Sequence, residues 1–164
     1  MPERVALYAG SFDPPTLGHL DLIQRAASMF DKVVVGVARN DQKTGLFTVS
    51  ERVDMLSEMI AGMPNTSVAN FSGLTVNFAR EIGACALIRG LRVVSDFEFE
   101  LTMAINNHKL NPAVDTVCLM PSEPYLFLSS RLVREIAGFG GSVRHYVTPE
   151  VQQRLIDKLG VRPQ

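Results

Sequence analysis

The stretch LYAGSFDPPTLGHLDLIQRA, Leu7 to Ala26, decides the fold. Its upstream end, VALYAG from Val5 to Gly10, reads as a strand. Downstream, Leu22, Ile23, Ala26, Ala27 and Phe30 recur at helical spacing and mark one helix face. A strand-to-helix turn needs two to six residues and no particular side chains. This one is opened by Gly10, stiffened by Pro14 and Pro15, and carries the hydroxyl of Thr16 and the imidazole of His19. Gly10 lets a ligand approach the backbone closely. The helix start near Thr16 to Gly18 presents unpaired amides and the positive end of the helix dipole, a ready anion site. His19, in the first turn, can aim a ring N–H at the same anion. Thr16 would cap a helix in any protein. It is the preceding Gly-Ser-Phe-Asp-Pro at a strand end that favours a ligand.

Outward from this turn, β-branched apolar runs alternate with helix-period segments. KVVVGVAR is a second strand, nearly continuous in apolar residues, as expected when both faces are covered. A helix follows with Ser50 as its expected N-cap and Val53, Leu56 and Ile60 inward. TSVANF, ACALIRG and DTVCLMP read as three further strands. The helices between and after them carry Leu74, Phe78, Ala79 and Ile82; then Phe97, Leu101, Ala104, Ile105 and His108 from about Ser95; then Leu132, Val133, Ile136 and Ala137 from Ser129 or Ser130. GFGG stops the last of these, and a final helix starts at Pro149 with Val151, Leu155, Ile156 and Leu159 inward. The expected fold is therefore α/β: a doubly wound, Rossmann-like five-stranded parallel sheet with helices on both faces, in one domain over residues 1–164.

Composition narrows the function classes. With 164 residues, 46% of them hydrophobic and 20% charged, the chain suits a globular protein with a sizeable core. Its net charge of −1 gives no global pull toward nucleic acid or an anionic membrane, so a polyanion site must be local. The N-terminal apolar run is too short for a signal peptide, and VVVGVA and ACALI are too short for a membrane span. Cys85 and Cys118 lie in strand-like runs and are expected as buried core thiols, which points to the cytoplasm. His108 and His145 show no ligand spacing, so no zinc site is expected.

In open parallel sheets ligands bind beyond the carboxyl ends of the strands. Here the strands are followed by GSFDPPTLGH, RNDQKTG, RGLR and PSEPYLFLSSR, whereas the opposite edge has bland connections. Unrelated loops would have no reason to share that segregation. Arg89 stands at a strand tip with Arg92 close behind, and arginine suits bidentate phosphate contacts. Lys43 could reach inward from a polar loop that also carries Arg39. The LSSR segment, Leu128 to Arg131, could cap a helix or hold a terminal phosphate.

The segments GSFDPPTLGH, KTGLFTVSERV, LIRGLRVVSDFEFE and YLFLSSRLVREI together resemble bacterial phosphopantetheine adenylyltransferases, of the nucleotidyltransferase superfamily marked by a (His/Thr)-x-Gly-His signature. The likeness spans about residues 4 to 160, with motifs in family order. It implies transfer of the adenylyl group of ATP to 4′-phosphopantetheine, giving dephospho-coenzyme A and pyrophosphate. It also implies Mg²⁺, a homohexamer, and coenzyme A as a candidate feedback inhibitor. By position, Ser11, Lys43, Thr75 and Arg89 would bind phosphopantetheine. Ser11, Phe12, His19, Gly90, Leu91, Arg92, Glu100, Tyr125, Leu126, Phe127, Leu128, Ser129, Ser130 and Arg131 would line the ATP site, with His19 stabilising the transition state. Ser11 stands where threonine is common. Leu126 and Arg131 stand where serines are frequent, and Thr75 falls where the family varies. Glycerol-phosphate cytidylyltransferases, of the same superfamily, usually carry Arg-Thr-x-Gly-Ile-Ser where this chain reads YLFLSSRLV, which argues against that reading.

Overall fold

The structure, a computed structural model, describes residues 2–39 and 44–161, the side chain of Ser95 excepted. Lys43 lies outside the described residues. The element order is β1 (Val5–Gly10), α1 (Leu17–Met29), β2 (Lys32–Arg39), α2 (Val49–Met59), β3 (Thr66–Ser72), α3 (Thr75–Glu81), β4 (Ala84–Gly90), α4 (Val94–Leu110), β5 (Asp115–Leu119), a 3₁₀ turn (Glu123–Tyr125), α5 (Ser130–Gly138) and α6 (Pro149–Leu159). The strands form one parallel sheet in the order β3-β2-β1-β4-β5. The chain works outward from β1 to β3, then returns across the sheet to β4. The strand order thus switches between β1 and β4, and a crevice opens beyond their carboxyl ends.

Alternation along the strands splits the core in two. Ala6 and Tyr8 of β1 join Val33, Val35 and Val37 of β2 on the face covered by Leu22, Ile23 and Ala26 of α1 and Leu56 of α2. Val5, Leu7 and Ala9 face the other way, with Val34, Phe71 and the α3 residues Val76 and Ala79. Leu7, Val33 and Val35 are fully buried. Burying an aliphatic side chain of this size contributes roughly 1.5–3 kcal/mol, so these strands anchor the sheet that carries the crevice. A third cluster packs α5 and α6, through Val133, Val151 and Leu155, against Phe47 and Met55. It swings the N-terminus of α5 over the end of β1.

Two expectations are corrected. The N-cap of α2 is Thr48, not Ser50. Thr48 Oγ1 accepts from the Glu51 amide at 3.2 Å while Glu51 Oε2 accepts from the Thr48 amide at 2.7 Å, a reciprocal cap that Ser50, the second residue of the helix, cannot make. Cys85 and Cys118 are exposed rather than core. Cys118 lies on the edge strand β5, and Cys85 sits beside the register shift between Val5 and Ala6, its Sγ 3.4 Å from the Val5 carbonyl. The apolar stripe of α4 also faces outward: Phe97, Leu101 and Ile105 are each about half exposed. The positions turned inward are Asp96, Glu100, Ala104 and Asn107. They are wanted there because they line cavities.

Candidate active site

A cleft of about 310 Å³ opens at the switch point between β1 and β4. Its floor is Tyr8 to Phe12 and Arg89–Gly90; its walls are Thr16, Gly18 and His19 of α1, Arg92, Asp96 and Glu100 before and on α4, and Tyr125, Leu128, Ser129, Ser130 and Arg134. Two helix N-termini therefore face one space. Ser129 caps α5 by accepting from the Leu132 amide at 3.1 Å, and Ser130 Oγ donates to the Pro14 carbonyl at 2.7 Å, which ties the loop after β1 to α5. Both helices present amides and dipole ends suited to phosphate.

The loop after β1 is held from several sides. Phe12 adopts φ 50°, a conformation that a side chain enters at a cost of about 1–2 kcal/mol. In return its ring packs edge-on to Tyr8 and His19, at centroid distances of 5.3 and 4.9 Å. A Cβ on Gly10 would lie 3.1 Å from that ring, which would have to give by a few tenths of an ångström. The buried Asp13 carboxylate accepts from the Leu46 and Phe47 amides at 2.8 and 2.9 Å. Arg134 donates to the Asp13 carbonyl and lies 3.8 Å from its carboxylate. Arg52 donates to the Ser11 carbonyl at 2.8 Å.

His19 is fixed by the same helix start. Its Nδ1 accepts from the Thr16 amide at 3.0 Å, and its own amide donates to Thr16 Oγ1 at 3.3 Å, so the imidazole occupies the N3 place of a capping box. Burial, then the charge of Arg92, push the His19 pKa down to about 4. At neutral pH the ring is uncharged with Nδ1 committed as acceptor. The proton therefore sits on Nε2, which leaves that N–H as the donor for a ligand. Arg92 in turn donates to the Leu128 carbonyl at 2.9 Å and to Asp96 at 3.3 Å. Burial would raise the Asp96 carboxyl, but the Arg92 amide and guanidinium hold it below the usual carboxylate range.

Beyond Arg89 lies a second, smaller pocket of about 90 Å³, lined by Thr75, Leu87, Phe99, Met103, Ala104, Asn107 and Thr116 together with Ala9, Arg89 and Glu100. Arg89 meets Glu100 in a bidentate pair, Nε to Oε2 and Nη2 to Oε1 both at 2.8 Å. Those hydrogen bonds hold the Arg89 pKa above its ordinary value against the opposing effect of burial. Such a pair, with one partner almost fully buried, is a fixed structural element rather than a surface contact.

Comparison with known proteins shows what this architecture belongs to. The Cytidylyltransferase-like family model matches residues 7–136. A phosphopantetheine adenylyltransferase from Desulforudis audaxviator is 53% identical over 159 residues, covering 97% of this chain and 98% of that protein. One from Aromatoleum aromaticum is 48% identical over 162 residues, 99% of each chain. The chain belongs to the phosphopantetheine adenylyltransferase family. Its fold also matches a crystal structure of a provisionally assigned nicotinate-nucleotide adenylyltransferase from Vibrio parahaemolyticus. That match has a TM-score of 0.72 at 17% identity and covers 96% of this chain and 95% of the other.

Of the residues that likeness to phosphopantetheine adenylyltransferases singles out, the cleft brings together Ser11, Phe12, His19, Gly90, Arg92, Glu100, Tyr125, Leu128, Ser129 and Ser130. The Phe12 ring is buried in the core, so only its backbone is on offer. Thr75 lines the second pocket, and Arg89 lines both. Leu91, Leu126, Phe127 and Arg131 are not among the cleft-lining residues, and the Phe127 side chain is 81% exposed. Arg134 was not expected in the cleft. The helical period could have found it, because it lies one turn beyond Ser130 on the helix that Ser129 caps. Tyr8 was read only as strand, although its position two residues before Gly10 puts it at the strand tip.

Proposed function

We propose that this chain transfers the adenylyl group of ATP to 4′-phosphopantetheine, giving dephospho-coenzyme A and pyrophosphate. The observation that carries the reading is the pair of adjoining chambers at the switch point: an anion-binding cleft and a smaller, more apolar pocket that meet at Arg89 and Glu100. Two substrates that must react end to end need two such compartments with a common wall. The relatives at about half identity over nearly the whole chain are named for that acceptor.

The nucleophile is a phosphate monoester oxygen, already largely dianionic near neutral pH because its second pKa is about 6. It needs no general base, and none is offered. Among the described cleft residues, Asp13 is held by two amides, Asp96 by Arg92, and Glu100 by Arg89. In-line attack on the α-phosphate then depends on positioning and on neutralising charge as it builds. In this reading His19 Nε2–H donates to an α-phosphate oxygen and is the catalytic residue. Gly90, Arg92 and the amides and hydroxyls of Ser129 and Ser130 hold the triphosphate, and Ser11, Arg89, Thr75 and Lys43 hold the acceptor. Within the segment from Tyr125 to Arg131, Tyr125, Leu128, Ser129 and Ser130 border the nucleotide.

Mg²⁺ is the metal this chemistry calls for. Among the described residues no three His, Cys, Asp or Glu side chains converge, and the cleft carboxylates already have partners. That donor set fits a Mg²⁺ that would come with ATP and would help neutralise the phosphate charge. No side chain is assigned to it. Coenzyme A carries the same pantetheine arm as the acceptor and would compete for the second pocket as a feedback inhibitor. The outward apolar face of α4 supports self-association as a homohexamer. The free thiols Cys85 and Cys118 suit a reducing compartment, the cytoplasm. No described helix is long and apolar enough to cross a membrane.

One assay tests the reaction. With Mg²⁺ and ATP, pyrophosphate release should require 4′-phosphopantetheine. Release with nicotinate mononucleotide instead, or with no acceptor at all, would overturn the assignment.

A further inference from the structure

The linker from Met120 to Tyr125, between β5 and the start of α5, is fastened to α1 at three points. Arg25 Nη1 donates to the Met120 carbonyl. The Asp21 carboxylate accepts twice from Ser122, from its amide at 2.9 Å and from its hydroxyl at 2.6 Å. Gly18 lies against Tyr125, where a Cβ would sit 3.4 Å from the Tyr125 Cβ. Residues 18, 21 and 25 share one helix face, next to the stripe that buries Leu22 and Ala26. The linker therefore runs back along α1 toward the helix N-terminus. Ser122 is its pivot: it follows Pro121 directly, and its carbonyl accepts from the Tyr125 amide at 2.9 Å. Pro121 and Tyr125 line the cleft and not the second pocket.

We propose that Asp21 is a positioning residue for the nucleotide: by clamping Ser122 it holds Pro121 and Tyr125 as the cleft wall that receives ATP. The proposal rests on the adenylyl-transfer reading and deepens it. Asp21 is not among the described residues that line the cleft, so it acts through the linker and not on substrate. Between Pro121 and Leu128 no side chain is buried, so packing alone does not fix this wall. A linker pinned by a carboxylate that accepts from both amide and hydroxyl has its course set before ATP arrives, which lowers the ordering cost of binding. The phosphate end has separate anchors. Arg92 holds the Leu128 carbonyl, Ser129 caps α5, and Ser130 donates to Pro14. His19 is fixed by its own capping box. Loss of the clamp should therefore be felt at the wall and not at the phosphates or at the imidazole.

The test is a double-mutant cycle on the full-length enzyme with Mg²⁺, ATP and 4′-phosphopantetheine, using Asp21→Ala, Ser122→Ala and the double variant. Asp21→Ala should raise KM for ATP by about tenfold, the scale of a lost charge-assisted hydrogen bond. KM for 4′-phosphopantetheine and Kd for pyrophosphate should stay within about twofold, and kcat within about threefold, because their residues are anchored elsewhere. Asp21→Asn, which keeps one acceptor oxygen, should recover part of the loss. Ser122→Ala should raise KM for ATP by about threefold in the wild-type background and by less than about 1.5-fold beside Asp21→Ala, since the two residues form one contact. An ATP KM within twofold of wild type in Asp21→Ala, a matching loss of pyrophosphate or acceptor affinity, a fall in kcat alone, or losses that multiply in the double variant would overturn the proposal. If Asp21→Ala does not fold, Ser122→Ala decides: a threefold rise in the ATP KM alone supports the clamp, and an unchanged value overturns it. A wild-type enzyme that releases no pyrophosphate with 4′-phosphopantetheine would sink the reaction assignment. The ATP Kd of the same variants, read by calorimetry, would then decide the role of Asp21 on the same limits.

Discussion

The depressed pKa of His19 gives a test that needs no substrate. Burial and Arg92 lower it from 6.5 to about 4, and each unit is worth about 1.4 kcal/mol. The unfolded chain therefore binds a proton between those values that the native chain does not. The linked stability is fully present above pH 6.5 and is lost as pH falls through 4, roughly 3 kcal/mol in all, with about 2 kcal/mol gone by pH 5. The comparison protein is His19→Gln, because glutamine is itself a capping-box residue and keeps the Thr16 cap while removing the titration. Urea unfolding at pH 7 and pH 5 should show the wild type losing about 2 kcal/mol more than the variant. Three histidines make the ring resonances easy to assign by NMR, and one should titrate near 4. ATP should raise that value, since a polyphosphate favours the protonated ring. A His19 resonance titrating between 6 and 7 in the free enzyme, or equal pH dependence in the two proteins, would refute the reasoning.

Four further outcomes are expected. His19→Ala should cut kcat by about 10²- to 10³-fold, the usual loss for a preorganised oxyanion donor, with the circular dichroism spectrum retained. Arg134→Met should lower kcat/KM for ATP by about 10- to 100-fold, because a cleft-lining cation and the tether on Asp13 go together; unchanged ATP kinetics would remove Arg134 from the site. Thr48→Ala should cost about 1 kcal/mol in urea denaturation, whereas Ser50→Ala should stay within about 0.5 kcal/mol. Leu101→Glu on the outward face of α4 should shift the light-scattering mass from an assembly toward the 18.0 kDa chain.

The strands and the edge carrying the site were legible because both depend on short-range pattern: β-branched runs fix the strands, and the polar loops all follow their carboxyl ends. Strand order was legible only as a class, since register depends on which apolar faces meet. The direction in which the α4 stripe faces was not legible, for a physical reason. Periodicity shows that Phe97, Leu101 and Ile105 share a face, but not whether that face meets the sheet or a neighbour. Here the polar positions won the inside because two cavities need walls. Ser50 lost the α2 cap to Thr48 because a reciprocal partner three residues on, Glu51, outweighs a lone hydroxyl. Glu100 is singled out by the resemblance, but nothing in the sequence sets its side chain opposite Arg89. Arg134 has no signature of its own in the sequence, because Ser129 and Ser130 alone mark the start of the helix.

The anchoring of Asp13 has a consequence for how the protein comes into being. Its contacts reach amides 33 and 34 residues downstream and a guanidinium 121 residues downstream. Closing loops of that length is slow relative to helix formation. A nascent chain can therefore lay down β1, α1 and β2 early, yet its reaction chamber stays unfinished until Arg134 has left the ribosome.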